Sequence, residues 1–182
     1  IGMMLHGGVI TAMGTFFVFS DYMKPAVRMA ALMQVPVKFI WSHDAFRVGE
    51  DGPTHEPVEH EAQIRLMEKL QNHAGKDSVR VFRPADSDAT TVCWQMAMEN
   101  METPTALILS RQNIKSLPEG NNYEEVRKGA YIVKGSDEQF DVILLASGSE
   151  VSTLVEAAEP LRKAGYKVRI VSVRSEERRV GK

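Results

Sequence analysis

The apolar residues of this chain alternate between short continuous runs and segments in which they recur every three to four positions. The continuous runs predict strands at residues 37–41, 79–82, 105–109, 140–146 and 167–173. The periodic segments predict helices at residues 21–34, 57–73, 87–100 and 150–164. Nearly continuous apolar strands that alternate with helices are typical of a parallel sheet with both faces covered. The pattern therefore predicts an α/β fold.

A change in the apolar pattern and composition divides the chain into two α/β segments. Between residues 110 and 128 the apolar period disappears, and Gly, Asn and mixed charges are typical of a linker. We expect a first domain at 1–112, a linker at 113–128 and a second domain at 129–173. The second segment predicts a single β-α-β unit, which is the start of a domain. Residues 174–182 have no apolar period and resemble the translation of a common sequencing adapter, so we expect a foreign tail there.

The first twenty residues contain no formally charged side chain, which raises the question of a membrane span. Four glycines, His6 and the lack of a flanking basic cluster argue against a membrane span and against a signal peptide. We expect this segment to be buried core. The chain begins at Ile1 with no strand or helix pattern before it, so we expect the first domain to be truncated at its N-terminus.

Composition and charge exclude several classes of protein. The 182 residues are 43% hydrophobic and 25% charged, with a net charge of -2, as in an ordinary globular domain. Neither a nucleic-acid partner nor a membrane partner is expected from so balanced a charge. The single cysteine, Cys93, cannot form an internal disulfide, which favours a reducing compartment and a cytoplasmic location.

The densest polar stretch, residues 43–55, directly follows a predicted buried strand. It contains His43, His55 and the carboxylate of Asp51, with glycines and a proline that favour sharp turns. In an open parallel sheet, ligands bind in the loops at the carboxyl ends of the strands. Histidine is suited to proton transfer and to pairing with phosphate near neutral pH, so this loop is a candidate binding site.

Two other interpretations of this stretch remain open. His55, Glu59 and His60 lie at helical spacing and could hold a metal, but they lack the H-E-x-x-H order and no cysteine contributes. Either histidine could also be an ordinary surface residue. We expect no metal ligand in this chain.

Two further groups of residues could contribute to a site. Phe16, Phe19 and Tyr22 recur every three residues, which predicts either core packing or an aromatic wall for a flat ring. Arg111 directly follows a predicted strand, where it could bind phosphate or be an exposed arginine without a specific role.

Taken in order, these pieces resemble the thiamine-diphosphate enzyme family of transketolases. The motifs that carry the resemblance are TFFVF at 15–19 with Tyr22, AVRMAAL at 26–32, SHD at 42–44, GEDGPTH at 49–55, RPAD at 83–86, LSRQN at 109–113 and ASGSEV at 146–151. They span nearly the whole chain. The resemblance implies most of the family's pyrimidine-binding domain, with a parallel sheet, plus the first β-α-β of its C-terminal domain.

The resemblance also implies roles for individual residues. Phe16, Phe19 and Tyr22 would surround the aminopyrimidine ring of thiamine diphosphate. The substrate-binding residues would be His43 and Arg111 for a sugar phosphate group, Asp51 for the hydroxyl next to the reacting carbon, and His55 along the channel. The implied reaction, in the pentose phosphate pathway, transfers a two-carbon ketol group from a ketose phosphate to an aldose phosphate.

Other parts of the family's site have no counterpart in this sequence. The resemblance places the family's catalytic glutamate upstream of Ile1, so no catalytic residue is assigned here. The ligands of Mg or Ca are expected in another domain, which faces the pyrimidine domain across a homodimer. We therefore expect this chain to be inactive alone.

Several alternatives remain open. Dihydroxyacetone synthase is a close relative, and 1-deoxyxylulose-5-phosphate synthase shares the string DGPTH, although GEDG and LSRQ are more typical of transketolase. A non-catalytic or split-subunit pyrimidine-type binding module is an alternative of a different class.

Overall fold

A computed structural model describes residues 1–44, 48–117, 123–135 and 139–175 of the chain. Contacts between Cα atoms group the chain into two compact units. The first unit contains Ile1–Phe82 and Trp94–Gln112, and the second contains Arg83–Cys93 and Asn113–Lys182.

The first unit is built on four strands. These are β1 (Ala12–Phe16), β2 (Lys38–Ser42), β3 (Arg80–Phe82) and β4 (Thr105–Ile108). Its helices are α1 (Gly2–His6), α2 (Ser20–Leu32), α3 (His60–Glu68) and the second half of α4 (Ser87–Glu99). A single 3₁₀ turn, Phe17–Phe19, joins β1 to α2.

All four strands of the first unit are parallel, in the order β1-β2-β4-β3. In the register of the sheet, Phe16 lies opposite Ser42, and Trp41 lies opposite Ile108. The carboxyl ends of β1, β2 and β4 are therefore neighbours at one edge of the sheet. This topology confirms the predicted α/β fold with a parallel sheet.

The core of the first unit lies between the sheet, α2 and α3. Its buried residues include Phe39 and Trp41 from β2, Val27 and Ala30 from α2, and Ile64 from α3. Every residue of β4 is buried, as expected for an inner strand of a parallel sheet. The predicted strands at 37–41 and 105–109 thus form the centre of the sheet.

A fully buried lysine, Lys38, lies at the amino end of β2. Its Nζ donates a hydrogen bond of 2.7 Å to the main-chain oxygen of Asn100, just past the end of α4. The side chain of Asn100 donates in turn to the main-chain oxygen of Thr103 and to the hydroxyl of Thr105. A cation is favourable at the C-terminal end of a helix, but burial still disfavours the charge and lowers the pKa of Lys38 to about 8.

The second unit contains a smaller, mixed sheet. Its elements are the first half of α4, α5 (Tyr123–Val126), β5 (Ala130–Lys134), β6 (Val142–Ala146), α6 (Glu150–Lys163) and β7 (Val168–Val173). The strand order is β5-β7-β6, with β6 parallel and β5 antiparallel to β7. The predicted β-α-β unit is β6-α6-β7.

Arg83 connects two of the quoted motifs within the second unit. Its guanidinium, which is buried, donates to the hydroxyl of Ser147 at 2.9 Å and to the carboxylate of Glu150 at 2.8 Å. Gly148 lies directly against it, because a Cβ at this position would be 2.7 Å from Arg83 Nε. Asp86, three residues further on, accepts hydrogen bonds from the main-chain N–H groups of Ala89 and Leu117. The RPAD and ASGSEV motifs therefore have a structural role here.

The helix predicted at 57–73 is shorter in the structure, where α3 covers His60–Glu68. The Asn72 side chain accepts hydrogen bonds from the N–H groups of Ala74 and Lys76. Such local side-chain bonds compete with helix formation. The segment 71–77 instead forms a tight loop, closed by a bridge between Gln71 and Asp77.

The expectation of a buried N-terminal segment is wrong for much of residues 1–20. Met3, Leu5 and Val9 each expose more than half of their surface, and the first residues of β1 are exposed as well. An uncharged segment indicates burial only if another element covers it, and no element of the described ranges covers these side chains. Phe17 and Ser20, in contrast, are buried.

The continuous apolar runs predict neither β1 nor β5, although the residues of β5 alternate in burial, with Tyr131 and Val133 inside. Of the expected foreign tail, the structure describes Arg174 and Ser175. Arg174 is fully buried and donates from Nε to the main-chain oxygen of Val126 at 2.8 Å. The boundary at residue 174 stays a prediction. Within the described ranges, no helix is long and apolar enough to cross a membrane.

The buried charge of Lys38 predicts an unusual pH dependence of stability. The folded pKa is about 8 and the ordinary value is 10.5, so between them the unfolded chain binds more protons. The free energy of unfolding of the first unit should therefore rise from pH 8 to pH 10, by at most about 3 kcal/mol. Guanidinium denaturation followed by tryptophan emission measures this, because Trp41 and Trp94 both belong to the first unit.

Replacing Lys38 by Met should abolish that rise, whereas Lys24→Met, at a partly exposed position on α2, should preserve it. The same slope in the Lys38→Met variant and the wild type would contradict the assignment. The rise in stability is measured only up to about pH 10, because above that pH the titration of Tyr131 lowers the free energy of unfolding. Burial raises the pKa of its hydroxyl to about 12, so stability contributed by the second unit falls above pH 10.

The close approach of Gly148 to Arg83 predicts a position that tolerates no side chain. Gly148 has φ 57°, and an added Cβ would also lie 2.8 Å from Arg83 Cγ. We expect Gly148→Ala to cost about 2–4 kcal/mol, from backbone strain and overpacking together. The matched control is Gly165→Ala, with φ 94° and open space around the added Cβ. It should cost only about 1 kcal/mol. Equal losses in thermal unfolding followed by circular dichroism would refute the role of Arg83.

Candidate functional site

The aromatic side chains that the sequence singles out form a continuous row in the first unit. Phe16 ends β1, Phe19 ends the 3₁₀ turn, and Tyr22 lies in the first turn of α2. The ring centroids of Phe16 and Phe19 are 6.0 Å apart, and those of Phe19 and Tyr22 are 6.2 Å apart. Phe17, between them in sequence, points into the core and stacks on Trp41 at 5.6 Å. Phe16 and Phe19 are partly buried, and Tyr22 is 83% exposed.

His43 lies immediately after β2 and is held in an uncommon backbone conformation, with φ 61°. Its ring stacks on Phe16 with a centroid separation of 3.5 Å. A hydrogen bond of 2.9 Å joins its Nδ1 to the hydroxyl of Ser42. When the hydroxyl donates this bond, Nε2 carries the ring proton and faces Asp51, at 3.9 Å from Oδ2. The turn at the end of β2 therefore aims the imidazole at both the aromatic row and the loop.

His55 approaches the same aromatic row from the loop. Its ring meets Phe19 edge-on at 5.4 Å and Phe16 at 6.2 Å. Its Nδ1 forms a hydrogen bond of 2.9 Å with the hydroxyl of Thr54. Both histidines are thus oriented in the same way, by the hydroxyl of the preceding residue.

Asp51 lies between two positively charged or titratable groups but is not hydrogen-bonded to either through Oδ2. This buried oxygen is 3.9 Å from His43 Nε2 and 4.0 Å from Arg111 Nε, and no donor within the described ranges reaches it. Buried carboxylate oxygens almost always have a hydrogen-bond partner. An oxygen without one, at the edge of a candidate site, is ready to accept a bond from a ligand hydroxyl.

Arg111 extends from the segment after β4 towards the loop. Gly49, with φ 94°, allows this approach, because an added Cβ would lie 3.0 Å from the guanidinium Nη1. Arg111 is about half exposed, so its guanidinium is available to an anion.

The structure thus brings all of the predicted site residues into one cluster of side-chain contacts. The members are Phe16, Phe19, Tyr22, His43, Asp51, His55 and Arg111. Three of them follow the carboxyl ends of β1, β2 and β4, where parallel-sheet proteins bind ligands. Their individual roles stay predictions.

The row presents partly exposed aromatic rings, a surface on which flat heteroaromatic rings pack. Phe19 stacks on Phe16, with the ring planes 24° apart, and Tyr22 is tilted by 41° to Phe19. Offset and edge-on arrangements of this kind are preferred by aromatic pairs.

The metal interpretation of His55, Glu59 and His60 does not match the structure, because His55 lies against the aromatic row. Asp21 takes its place beside Glu59 and His60, with ligand atoms within 4.8 Å of one another. Nε2 of His60 lies 3.0 Å from Asp21 Oδ2. The hydrogen bond from Lys24 is the largest cause that lowers the pKa of the Asp21 carboxyl below its ordinary value, and the bond from His60 lowers it further. The contact pairs Nε2 of His60, whereas its buried Nδ1 has no hydrogen-bond partner within the described residues.

Sequence reasoning missed the contact between Asp21 and His60. The two residues are 39 positions apart and belong to different helices, so no periodic pattern links them. The available signal was indirect: a histidine at the start of a predicted helix, and an acidic residue in the first turn of another.

Comparison with known proteins gives matches to one family over most of the chain. The family "Transketolase, pyrimidine binding domain" matches residues 1–116, and "Transketolase-like TK C-terminal domain" matches residues 129–178. A probable transketolase of Streptococcus pneumoniae is 49% identical over 174 residues, which is 96% of this chain and 25% of that protein.

Solved structures give the same result. The transketolase from Leishmania mexicana matches with a TM-score of 0.84 and 40% identity, over 97% of this chain and 24% of that one. A split gene transketolase, described as an inactive beta4 tetramer, matches with a TM-score of 0.71 and 24% identity, over 96% of this chain and 52% of that one, which shows a shared fold. The chain spans about a quarter of the length of the curated relatives it matches.

Proposed function

The chain belongs to the transketolase family, and on that premise we propose that it forms part of a transketolase. The complete enzyme would transfer a two-carbon ketol group from a ketose phosphate to an aldose phosphate. This chain would supply the wall around the aminopyrimidine ring and one side of the substrate channel.

A single observation carries this proposal: Asp51 Oδ2 accepts no hydrogen bond within the described ranges, although it lies within 4.0 Å of His43 and Arg111, and His43 stacks on the aromatic row. A sugar phosphate offers hydroxyl donors and a dianionic group. The cluster offers a carboxylate acceptor, an imidazole and a guanidinium next to an aromatic surface. The chemistry of the donor and acceptor set therefore matches this class of substrate.

Each side chain has a role that follows from its position. Phe16, Phe19 and Tyr22 would hold thiamine diphosphate, which when bound supplies the nucleophilic carbon and the electron sink for breaking and forming the carbon–carbon bond. Asp51 would accept a hydrogen bond from the hydroxyl next to the reacting carbon. His55, held edge-on against Phe19, would line the channel between the two.

His43 and Arg111 would bind the phosphate of the substrate. Binding of a remote, non-reacting group can be used to align the reacting carbon, so these residues would contribute to the rate as well as to affinity. The stacking of His43 on Phe16 would couple the phosphate position to the cofactor wall.

The remaining parts of the reaction would come from outside these residues. We propose that Mg or Ca and the diphosphate of the cofactor are bound by another domain, across a homodimer, and that the enzyme acts in the pentose phosphate pathway of the cytoplasm. The single cysteine, Cys93, is buried and cannot form an internal disulfide, which is compatible with that compartment. The chain alone would be inactive.

Two alternatives make different predictions. A dihydroxyacetone synthase or a 1-deoxyxylulose-5-phosphate synthase would use the same fold with other substrates. A split-subunit or non-catalytic module is favoured by one observation, the fold match to a chain that is itself only about twice as long. Its activity would require a separate second polypeptide.

The proposed function predicts a difference in activity between this chain and the complete protein. We expect the complete homodimer to transfer ketol groups between sugar phosphates when thiamine diphosphate and Mg²⁺ are present, and the 182-residue chain to show no turnover. A coupled spectrophotometric assay measures both. A complete protein that binds the cofactor but accepts only other substrates would refute the proposed reaction, and turnover by the short chain would refute its inactivity.

Binding of the substrate phosphate by Arg111 predicts a loss of activity that depends on that phosphate. In the complete enzyme, Arg111→Ala should lower kcat/KM for phosphorylated acceptors by roughly 10–100-fold, the usual cost of a lost charge-assisted hydrogen bond. It should change kcat/KM for an unphosphorylated aldose by less than about twofold. Lys163→Ala, at an exposed position on α6, is the matched control and should change neither. Equal losses with both acceptors would contradict phosphate binding by Arg111.

A further inference from the structure

His60 occupies an unusual place for a histidine, at the junction between the substrate loop and the core. It is the first residue of α3, directly after the loop that carries Asp51 and His55. Its side chain is only 4% exposed. A buried imidazole is costly unless its polar atoms are paired, so its contacts are informative.

His60 contacts two residues that are sequence neighbours of the aromatic row. Its Nε2 is 3.0 Å from Oδ2 of Asp21, the residue before Tyr22. Its ring centroid is 5.9 Å from that of Phe17, the residue after Phe16. His60 therefore touches the neighbours of both ends of the row without belonging to it.

The carboxylate of Asp21 is held by two partners at once. Lys24 binds Oδ1 from the next turn of α2, and His60 binds Oδ2 from α3. On the other side of the imidazole, Glu59 Oε2 is 3.9 Å from Nδ1, which is too far for a hydrogen bond, so within the described residues Nε2 is the paired nitrogen of His60. Lys24 is on the same helix as Asp21, so that bond cannot fix α2 relative to the loop. The bond to His60 can.

Tyr22 needs such support from its backbone. Its ring is 83% exposed, and Phe19 is the aromatic side chain that it meets within the described ranges. The position of Tyr22 therefore depends on the first turn of α2. A shift of that turn would move Tyr22 and the adjacent Phe19 together.

We propose that His60 is a positioning residue that, through its hydrogen bond to Asp21, holds the first turn of α2 in place and so sets Phe19 and Tyr22 towards the pyrimidine ring of thiamine diphosphate. This inference rests on the proposed function. It assigns to His60 a contribution to cofactor affinity, and none to the chemical step at saturating cofactor.

The test uses the complete enzyme and measures thiamine diphosphate binding by calorimetry together with kcat at saturating cofactor. His60→Leu should weaken cofactor affinity by about tenfold, as expected for a lost hydrogen bond to a charged group, and change kcat by less than about twofold. His60→Gln keeps an N–H donor and should recover most of the affinity. His73→Leu makes the same replacement at an exposed histidine and should have no effect.

Asp21→Asn provides a second, independent variant, because the Asp21 side chain is 47% exposed and its replacement leaves the core intact. It should weaken cofactor binding in the same direction, and the double variant Asp21→Asn/His60→Leu should bind about as weakly as His60→Leu alone. Additive losses would show that the two residues act separately and would overturn the inference.

Failure of the inference is distinguishable from failure of the proposed function. A wild-type enzyme without turnover or cofactor binding would reject the proposed function. Normal wild-type turnover combined with unchanged cofactor affinity in His60→Leu would reject only the role of His60. Equal losses of affinity in His60→Leu and His60→Gln would likewise show that the hydrogen bond is not the cause.

Discussion

Parallel pairing of β1, β2 and β4 is the constraint on which the candidate site depends. Because the strands run in the same direction and in this register, Phe16, His43 and the segment leading to Arg111 emerge as neighbours. An antiparallel strand at any of these positions would send one of the groups to the opposite edge. The loop of residues 48–59 then adds Asp51 and His55 from above the same edge. The main-chain hydrogen bonds between the parallel strands thus bring the side chains of the candidate site together.

Polar groups lie at both ends of this sheet, in different arrangements. At the amino ends, Asn100 joins the Lys38 ammonium to the Thr105 hydroxyl through hydrogen bonds, and the Thr11 hydroxyl is buried without a hydrogen-bond partner in the described residues. At the carboxyl ends, His43 has a positive φ and the Asp51 Oδ2 has no donor within the described ranges. Strain and unsatisfied groups tend to persist where function requires them. The strained His43 backbone and the Asp51 oxygen without a donor lie together at the carboxyl ends, where the candidate site is.

The sequence predicted β2, β3, β4, β6, β7 and the main helices, because each depends on a local pattern. The rule that parallel strands carry sites at their carboxyl ends pointed to the polar loop, and the resemblance to transketolases added the aromatic residues. Sequence reasoning failed where a distant partner decides the outcome. The contact between Asp21 and His60 joins two helices, and the end of α3 depends on the side chain of Asn72. The exposure of Met3 and Leu5 likewise depends on what covers them, which no local pattern reports.

Phe16 and Phe17 are adjacent in sequence, at the junction of β1 and the 3₁₀ turn, but their side chains lie in different environments. Phe16 lines the candidate site, while Phe17 lies under it and stacks on Trp41. Trp41 is one of two tryptophans in the chain, is fully buried and donates its indole N–H to the sulfur of Met23. Its emission is therefore a built-in optical reporter. A ligand that displaces Phe17 would change the stacking on Trp41 and with it the emission of the chain, without a dye or an engineered label.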